Sequence, residues 1–317
     1  VRNLFIIPLA VGIIAVGAEK AAAESLDLTT ILKDFNAVIY TNGSTPSDIE
    51  GAAVIGGNFS GATVFNNPTK SQTQPAGFGV LTVFGNTSGG PININNKGSA
   101  YVEGTHGAKI NFNGGGVYLT DPGYTISDFE KPLNALSKSL SKLTATSVLP
   151  TTDNNEVIKA TPGTNGIAVF DITAAELDAI PSYKISLNGA KTIIFNVDDV
   201  GGKTINFGAN DETGTTGAND IIWNFYNATT VNLNTLIPGT VLAPLANVSN
   251  GNQIDGDLIA KSWTGNGELH DWAFDGPLPV SAVPEVSTWM MMLMGFAGVG
   301  FCAMRKAKKT AGILASA

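Results

Sequence analysis

The feature that most limits what this chain can fold into is the shortness of its apolar runs. Between Phe35 and Leu119 they hold only two to five residues and are broken by glycine and asparagine, as in Ala37-Val38-Ile39-Tyr40, Ala52-Ala53-Val54-Ile55, Val80-Leu81-Thr82-Val83-Phe84 and Tyr101-Val102. Runs this short read as strands, since a helix shows its periodicity over ten residues or more. They also recur. Ile92-Asn93-Ile94-Asn95 returns as Ile110-Asn111-Phe112-Asn113 after 18 residues, Phe84-Gly85-Asn86 is echoed by Glu103-Gly104-Thr105 after 19, and Tyr101 by Tyr118 after 17. A repeat near 18 fits a coil of three short faces, stacked so that one apolar interior runs from end to end. Gly and Asn supply the left-handed corners. The chain holds 37 Gly and 29 Asn in 317 residues, which excludes a helical bundle, and its 43% hydrophobic content argues against disorder. The expected class is all-β, a β-solenoid, with a β-sandwich as the alternative that also uses many short strands.

Residues 126–143 break the pattern. Ile126, Phe129, Leu133, Leu136, Leu140 and Leu143 step by three and four, which predicts one long helix with a single apolar face. Ser127 with Glu130 reads as its capping box and Pro132 as a first-turn residue, while Ser137, Lys138 and Ser141 fall on the wet side. A lone stripe beside a solenoid predicts packing along it, with partner binding as the alternative. A short second helix is expected from Thr173, boxed by Glu176 and ending before Pro181. Strands then resume at 167–170, 192–197, 204–207 and 221–226.

Both ends look like export signals. Leu4 to Val16 is an apolar run of 13 preceded by Arg2 and followed by Ala21-Ala22-Ala23, the layout of a secretory leader over 1–23 cut after Ala23. As a helix it reaches about 20 Å, short of the bilayer's roughly 30 Å core. At the other end, Val283-Pro284-Glu285 precedes an uncharged stretch to Met304, then Arg305, Lys306, Lys308 and Lys309. From Val286 that stretch could span a membrane at about 28 Å, with the basic cluster held on the cytoplasmic side.

This tail, 281–317, resembles the PEP-CTERM sorting signal of Gram-negative bacteria; Pro284 and Glu285 match its motif, with Val286 where a second Pro usually stands. The resemblance implies a membrane-anchored precursor held transiently in the inner membrane, recognition by an exosortase, and release to the cell surface or extracellular matrix. An ordinary single-pass anchor is the alternative. Within 24–280, Gly239-Thr240-Val241-Leu242-Ala243-Pro244, Ile254-Asp255-Gly256 and Glu268-Leu269-His270 look like the choice-of-anchor A domain, as do Phe35-Asn36 and the segment from Glu50-Gly51 to Gly56-Gly57-Asn58. That family is similar to predicted bacterial adhesive domains. The resemblance implies a right-handed β-helix, ice-binding-protein-like, with one long α-helix packed alongside. It carries no catalytic residues.

The chemistry on offer is sparse. The formal charge is −8, and residues 24–286 hold 12 lysines, no arginine and 25 acids, or −13. That composition is a poor nucleic-acid binder. Cys302 is the one cysteine, so residues 24–280 can form no disulfide. His106 and His270 are the only histidines, and no His-Glu-x-x-His, Gly-x-Ser-x-Gly or phosphate loop is present. Both histidines are expected at the surface. Asp198-Asp199, Asp211-Glu212 and above all Asp255 and Asp257 could hold Ca²⁺ or form the acid pair of a polysaccharide-active enzyme, against a plainer reading as solvated corner acids. Asn58, Asn86, Asn227 and Asn247 lie in Asn-x-Ser/Thr triplets. No Thr-x-Thr ladder at the rung spacing is evident, which lowers the expectation of an ice-binding protein. The expected role is non-enzymatic: an adhesin-like or structural protein of the surface or biofilm matrix. Its partner would be extracellular polysaccharide or another surface polymer, met through Asn, Thr and exposed aromatics such as Trp263 or Trp272, with core packing as the alternative reading of both tryptophans.

Overall fold

A computed structural model describes residues 26–67, 72–150, 155–199, 201 and 204–279. The leader, the sorting motif, the apolar tail stretch and the basic end lie outside the described residues. Among the described residues, no helix is long and apolar enough to cross a membrane.

Nineteen strands form one sheet and three more a second. Every ladder between them is parallel. Parallel pairing of strands so close in sequence requires the chain to coil, and the offsets give the coil length. Ala37 pairs with Ala53, Leu81 with Ala100 and Ile92 with Ile110, steps of 16, 19 and 18 residues, while Ala53 to Leu81 takes 28. Tyr101 and Tyr118 are not partners, because the bridge runs from Ala100 to Tyr118. The mostly parallel, mostly β arrangement is compatible with a β-helix and leaves no room for a sandwich of antiparallel sheets.

Each coil has three faces, met in the order 37–39, 43–45, 48–49 and then 53–55. The first face stacks eleven levels: Tyr118, 100–102, 81–83, 53–55 and 37–39, then 258–260, 240–243, 221–224, 192–198, 167–173 and Ser147. At about 4.8 Å per level this is a stack of about 48 Å. The order is not the chain order. The chain starts inside the stack, builds outward to Tyr118, crosses to the far end and builds back. Its two halves close on a seam where Ala37, Val38 and Ile39 pair with Leu258, Ile259 and Ala260.

The crossing is made by a helix. A first short helix, α1 (Leu28–Asp34), leads into the seam, and its Asp27 cap accepts the Thr29 and Thr30 amides. The long helix, α2 (Ile126–Leu140), lies across the outside of the first face. Its box is Thr125 with Asp128, two residues earlier than Ser127 with Glu130, because Thr125 is the last residue with an extended backbone. Pro132 therefore sits in the second turn and removes a helix hydrogen bond. Phe129, Leu133, Leu136 and Leu140 are fully buried, as the stripe predicts, and Leu143 packs beyond the helix end.

The outer column of the first face is correspondingly apolar: Val54, Val38, Ile259 and Leu242 are buried although they point away from the coil interior. Two asparagines continue it. Asn196 donates to the Leu140 carbonyl at 2.7 Å and Asn224 to the Ser137 carbonyl at 3.0 Å, so the sheet adds a second donor to carbonyls that already accept the Leu143 and Ser141 amides. Ser137, placed by its spacing on the wet side, is buried and donates to Asn224 at 2.6 Å. On the inner side Phe170, Phe195 and Trp223 stack on successive levels, with centroids 4.7 and 4.1 Å apart. The second helix begins as its sequence implies: α3 (Ala174–Asp178) is capped by Thr173 and boxed by Glu176. Corners are tight. Gly239 has φ +102°, and a Cβ on Gly256 would lie 2.3 Å from the Gly239 carbonyl oxygen.

Candidate functional site: a bare polar ladder

The second face has the same alternation as the first and, among the described residues, no helix over it. Seven levels carry a triplet with a buried centre and two outward short polar residues. In spatial order these are Asn86-Thr87-Ser88, Asn58-Phe59-Ser60, Asn42-Gly43-Ser44, Ser262-Trp263-Thr264, Asn247-Val248-Ser249, Thr230-Val231-Asn232 and Thr204-Ile205-Asn206. All seven central residues are buried, and all fourteen flanking residues are half-buried or exposed. A strand puts residues i and i+2 on one side, about 6.7 Å apart, and neighbouring levels are about 4.8 Å apart. Two columns of hydroxyls and amides therefore run side by side for about 29 Å.

The columns are tied along their length. Asn58 and Asn86 backbone amides donate to the side-chain oxygens of Asn42 and Asn58 at 2.8 and 3.0 Å, and Thr105 extends the series from Asn86 at 2.7 Å. Ser60 donates to Ser44 at 3.0 Å, Ser262 to Asn247 at 2.7 Å, Ser249 to Asn232 at 2.8 Å and Asn232 to Asn206 at 2.7 Å. These bonds fix the rotamers before any contact is made, which lowers the ordering cost of binding. None of the fourteen positions is charged, although the chain carries −8 overall.

This face is the part of the site that sequence reasoning missed, though its trace was visible. Three of the four Asn-x-Ser/Thr triplets, at Asn58, Asn86 and Asn247, are ladder levels. The fourth, at Asn227, is a corner whose backbone neighbour Asp199 donates to the Asn227 side-chain oxygen at 3.0 Å. A search for Thr-x-Thr could not find columns that mix Asn, Ser and Thr. Of the two readings of Trp263, core packing holds: it is 1% exposed and turns its indole inward, donating to Asn250 at 2.8 Å. Trp272 is half-buried.

The third face holds the charges the second lacks. His270, flanked by Asp255 at 2.6 Å and Glu268 at 3.0 Å, lies next to the seam. The Asp255 carboxylate holds its imidazole up to about 9, against partial burial that acts the other way. Asp255 and Asp257 do not converge. Asp255 faces His270, whereas Asp257 is fully buried and accepts from Gln72 at 2.7 Å, Thr240 at 3.0 Å and the Phe274 amide at 3.2 Å. Burial pushes the Asp257 carboxyl up to about 8, outweighing those three donors. Both acids are thus structural members of the seam and not solvated corner residues. Among the described residues, no group of three or more His, Cys, Asp or Glu is placed to hold a metal. His106 is exposed and stacks on Tyr118 at 4.6 Å.

A family model described as "Putative Ice-binding-like adhesive domain" matches residues 28–271. Among solved structures, the chain resembles the ice-binding protein of the Antarctic ascomycete Antarctomyces psychrotrophicus, at 15% identity and a TM-score of 0.38, covering 77% of this chain and 98% of that one. An ice-binding protein from an Antarctic biological consortium follows at 12% identity and a TM-score of 0.26, covering 84% and 94%. No curated protein matches the chain.

Proposed function

From the premise that this chain belongs to the family of ice-binding-like adhesive domains, we propose that it adheres to an ordered, repeating neutral surface through the uncharged polar ladder. The fold is read in finer terms as a right-handed β-helix, the hand that parallel crossovers take. The observation that carries the function is the pair of columns at fixed spacing. A ligand whose own groups repeat, such as extracellular polysaccharide, meets many weak contacts at once, and their combined strength needs no pocket. Removing one contact costs little, whereas breaking the flatness costs all of its neighbours.

The same reading takes 1–23 as a leader, 24–280 as the choice-of-anchor A domain and 281–317 as a PEP-CTERM signal served by an exosortase. The protein then acts at the surface or in the matrix of a Gram-negative cell, without catalysis. Its support is the tripartite tail and the match to an adhesive domain family.

The test is retention on native exopolysaccharide. The folded domain is expected to stay on the polymer without releasing oligosaccharides. The double substitution Ser44→Tyr and Thr264→Tyr, in mid-ladder, is expected to weaken retention about tenfold, equivalent to about 1.4 kcal/mol. Release of new reducing or unsaturated ends would establish a polysaccharide-active enzyme instead. Ice is the second ordered surface that such columns fit. Thermal hysteresis that disappears in the same double variant, with no polymer retention, would favour it.

A further inference from the structure

The described chain enters and leaves the stack at one corner. α1 runs into Asn36, whose amide donates to the Gly256 and His270 carbonyls, both at 3.0 Å, at the corner between the third and first faces. After His270 the chain follows the same corner: the Asp275 amide donates to the Asn219 carbonyl at 2.9 Å and Thr192 to the Pro277 carbonyl at 2.9 Å. Thr29 and Leu32 of α1 share a cleft with Phe274 to Leu278, and Lys33 pairs with Asp275 at 3.2 Å. In a three-faced coil, the corner between two faces stands opposite the third. That third face here is the polar ladder.

We infer that attachment beyond residue 279 to a phospholipid bilayer holds the domain by this corner and turns the ladder away from the membrane. The inference rests on the reading of 286–304 as a membrane span. From Pro279 to Val286 the chain can reach at most about 25 Å. A face of about six residues is about 20 Å wide. Laying the ladder on the bilayer would therefore draw the tether nearly straight around one side of the coil, while corner-down placement needs no stretch. None of the fourteen ladder positions carries a charge to draw it to lipid headgroups. A precursor held in this way already presents its adhesive columns outward before any cut.

The experiment uses residues 24–317, the chain left once the leader is cut, with Cys302→Ala so that one introduced thiol can be labelled. Thr30→Cys marks the corner and Thr264→Cys the ladder; both positions are exposed. The proteins are reconstituted in phosphatidylethanolamine–phosphatidylglycerol vesicles, checked by flotation, and quenched by a headgroup-bound quencher. The label at 30 is expected to be quenched at least twofold more than that at 264. Equal or reversed quenching overturns the inference. Failure to float overturns the membrane-span reading and the inference with it, while retention of the folded domain on polymer still decides the adhesive function separately.

Discussion

The first and second faces of this molecule are built on one backbone pattern, and they end in opposite roles. Both stack short parallel strands at the same spacing and turn buried residues inward. They differ in the outward column alone. Val38, Val54, Ile259 and Leu242 on one face call for a cover, and α2 supplies it. Ser44, Ser60, Thr264 and Ser249 on the other are satisfied in water and stay bare. A change of outward side chains, with no change of fold, thus separates the surface that holds the domain together from the surface free to bind. The asparagines show the same division: buried Asn196 and Asn224 fasten a helix, while Asn42, Asn58 and Asn86 order a solvent-facing edge.

The separation can be broken most strongly from the covered side. Leu136→Ala is expected to lower the unfolding free energy by about 2–5 kcal/mol in urea titration, with polymer retention per folded molecule unchanged. A parallel loss of retention would show that the two faces are not independent. Asn224→Ala leaves the buried Ser137 hydroxyl without its acceptor and the Asn196 side-chain oxygen without the Asn224 donor, and should cost about 1–3 kcal/mol.

The seam joins the two halves of both faces and adds a pH term of known sign. His270 is raised to about 9, so the stability it adds is complete below its ordinary value near 6.5 and fades as pH climbs through 9. Asp257, raised to about 8, has its proton-linked contribution in full only below the usual carboxylate range and loses it as pH rises through 8. Both trends run the same way. The melting temperature should fall between pH 6 and 9, and His270→Gln should flatten that fall. An unchanged slope in the variant would remove the histidine from the account.

The smallest effects belong to the bare face. Single changes such as Ser249→Ala should leave stability within about 0.5 kcal/mol while lowering retention measurably. Because both columns are uncharged, retention should change less than about twofold between low and high salt, where charge-driven binding would be screened. A steep salt dependence would move the contact to the third face, where Asp255 and Glu268 flank His270.

Much of this was legible in residue order. The recurrence of Ile92-Asn93-Ile94-Asn95 is a true ladder step, and the stripe from Phe129 to Leu140 is a true packed face. Thr173 with Glu176 caps a helix because capping is local chemistry. Errors came where a residue's surroundings are distant in sequence. Ser137 looked wet because its partner Asn224 is 87 positions away. Trp263 could be read as contact or core, and only its bond to Asn250 inside the coil decides for core.

By itself the sequence determined short strands and their recurrence: apolar runs, left-handed corner residues and a repeat near 18 favour parallel levels over a sandwich, since each of these acts within one or two turns of chain. Only the tertiary structure decided how the levels are ordered. The chain begins inside the stack, so Ser44 meets Thr264 across 220 residues, and the ladder becomes continuous at the seam. Pairing of strands depends on complementary edges brought together by burial, and no local preference records which distant edge arrives.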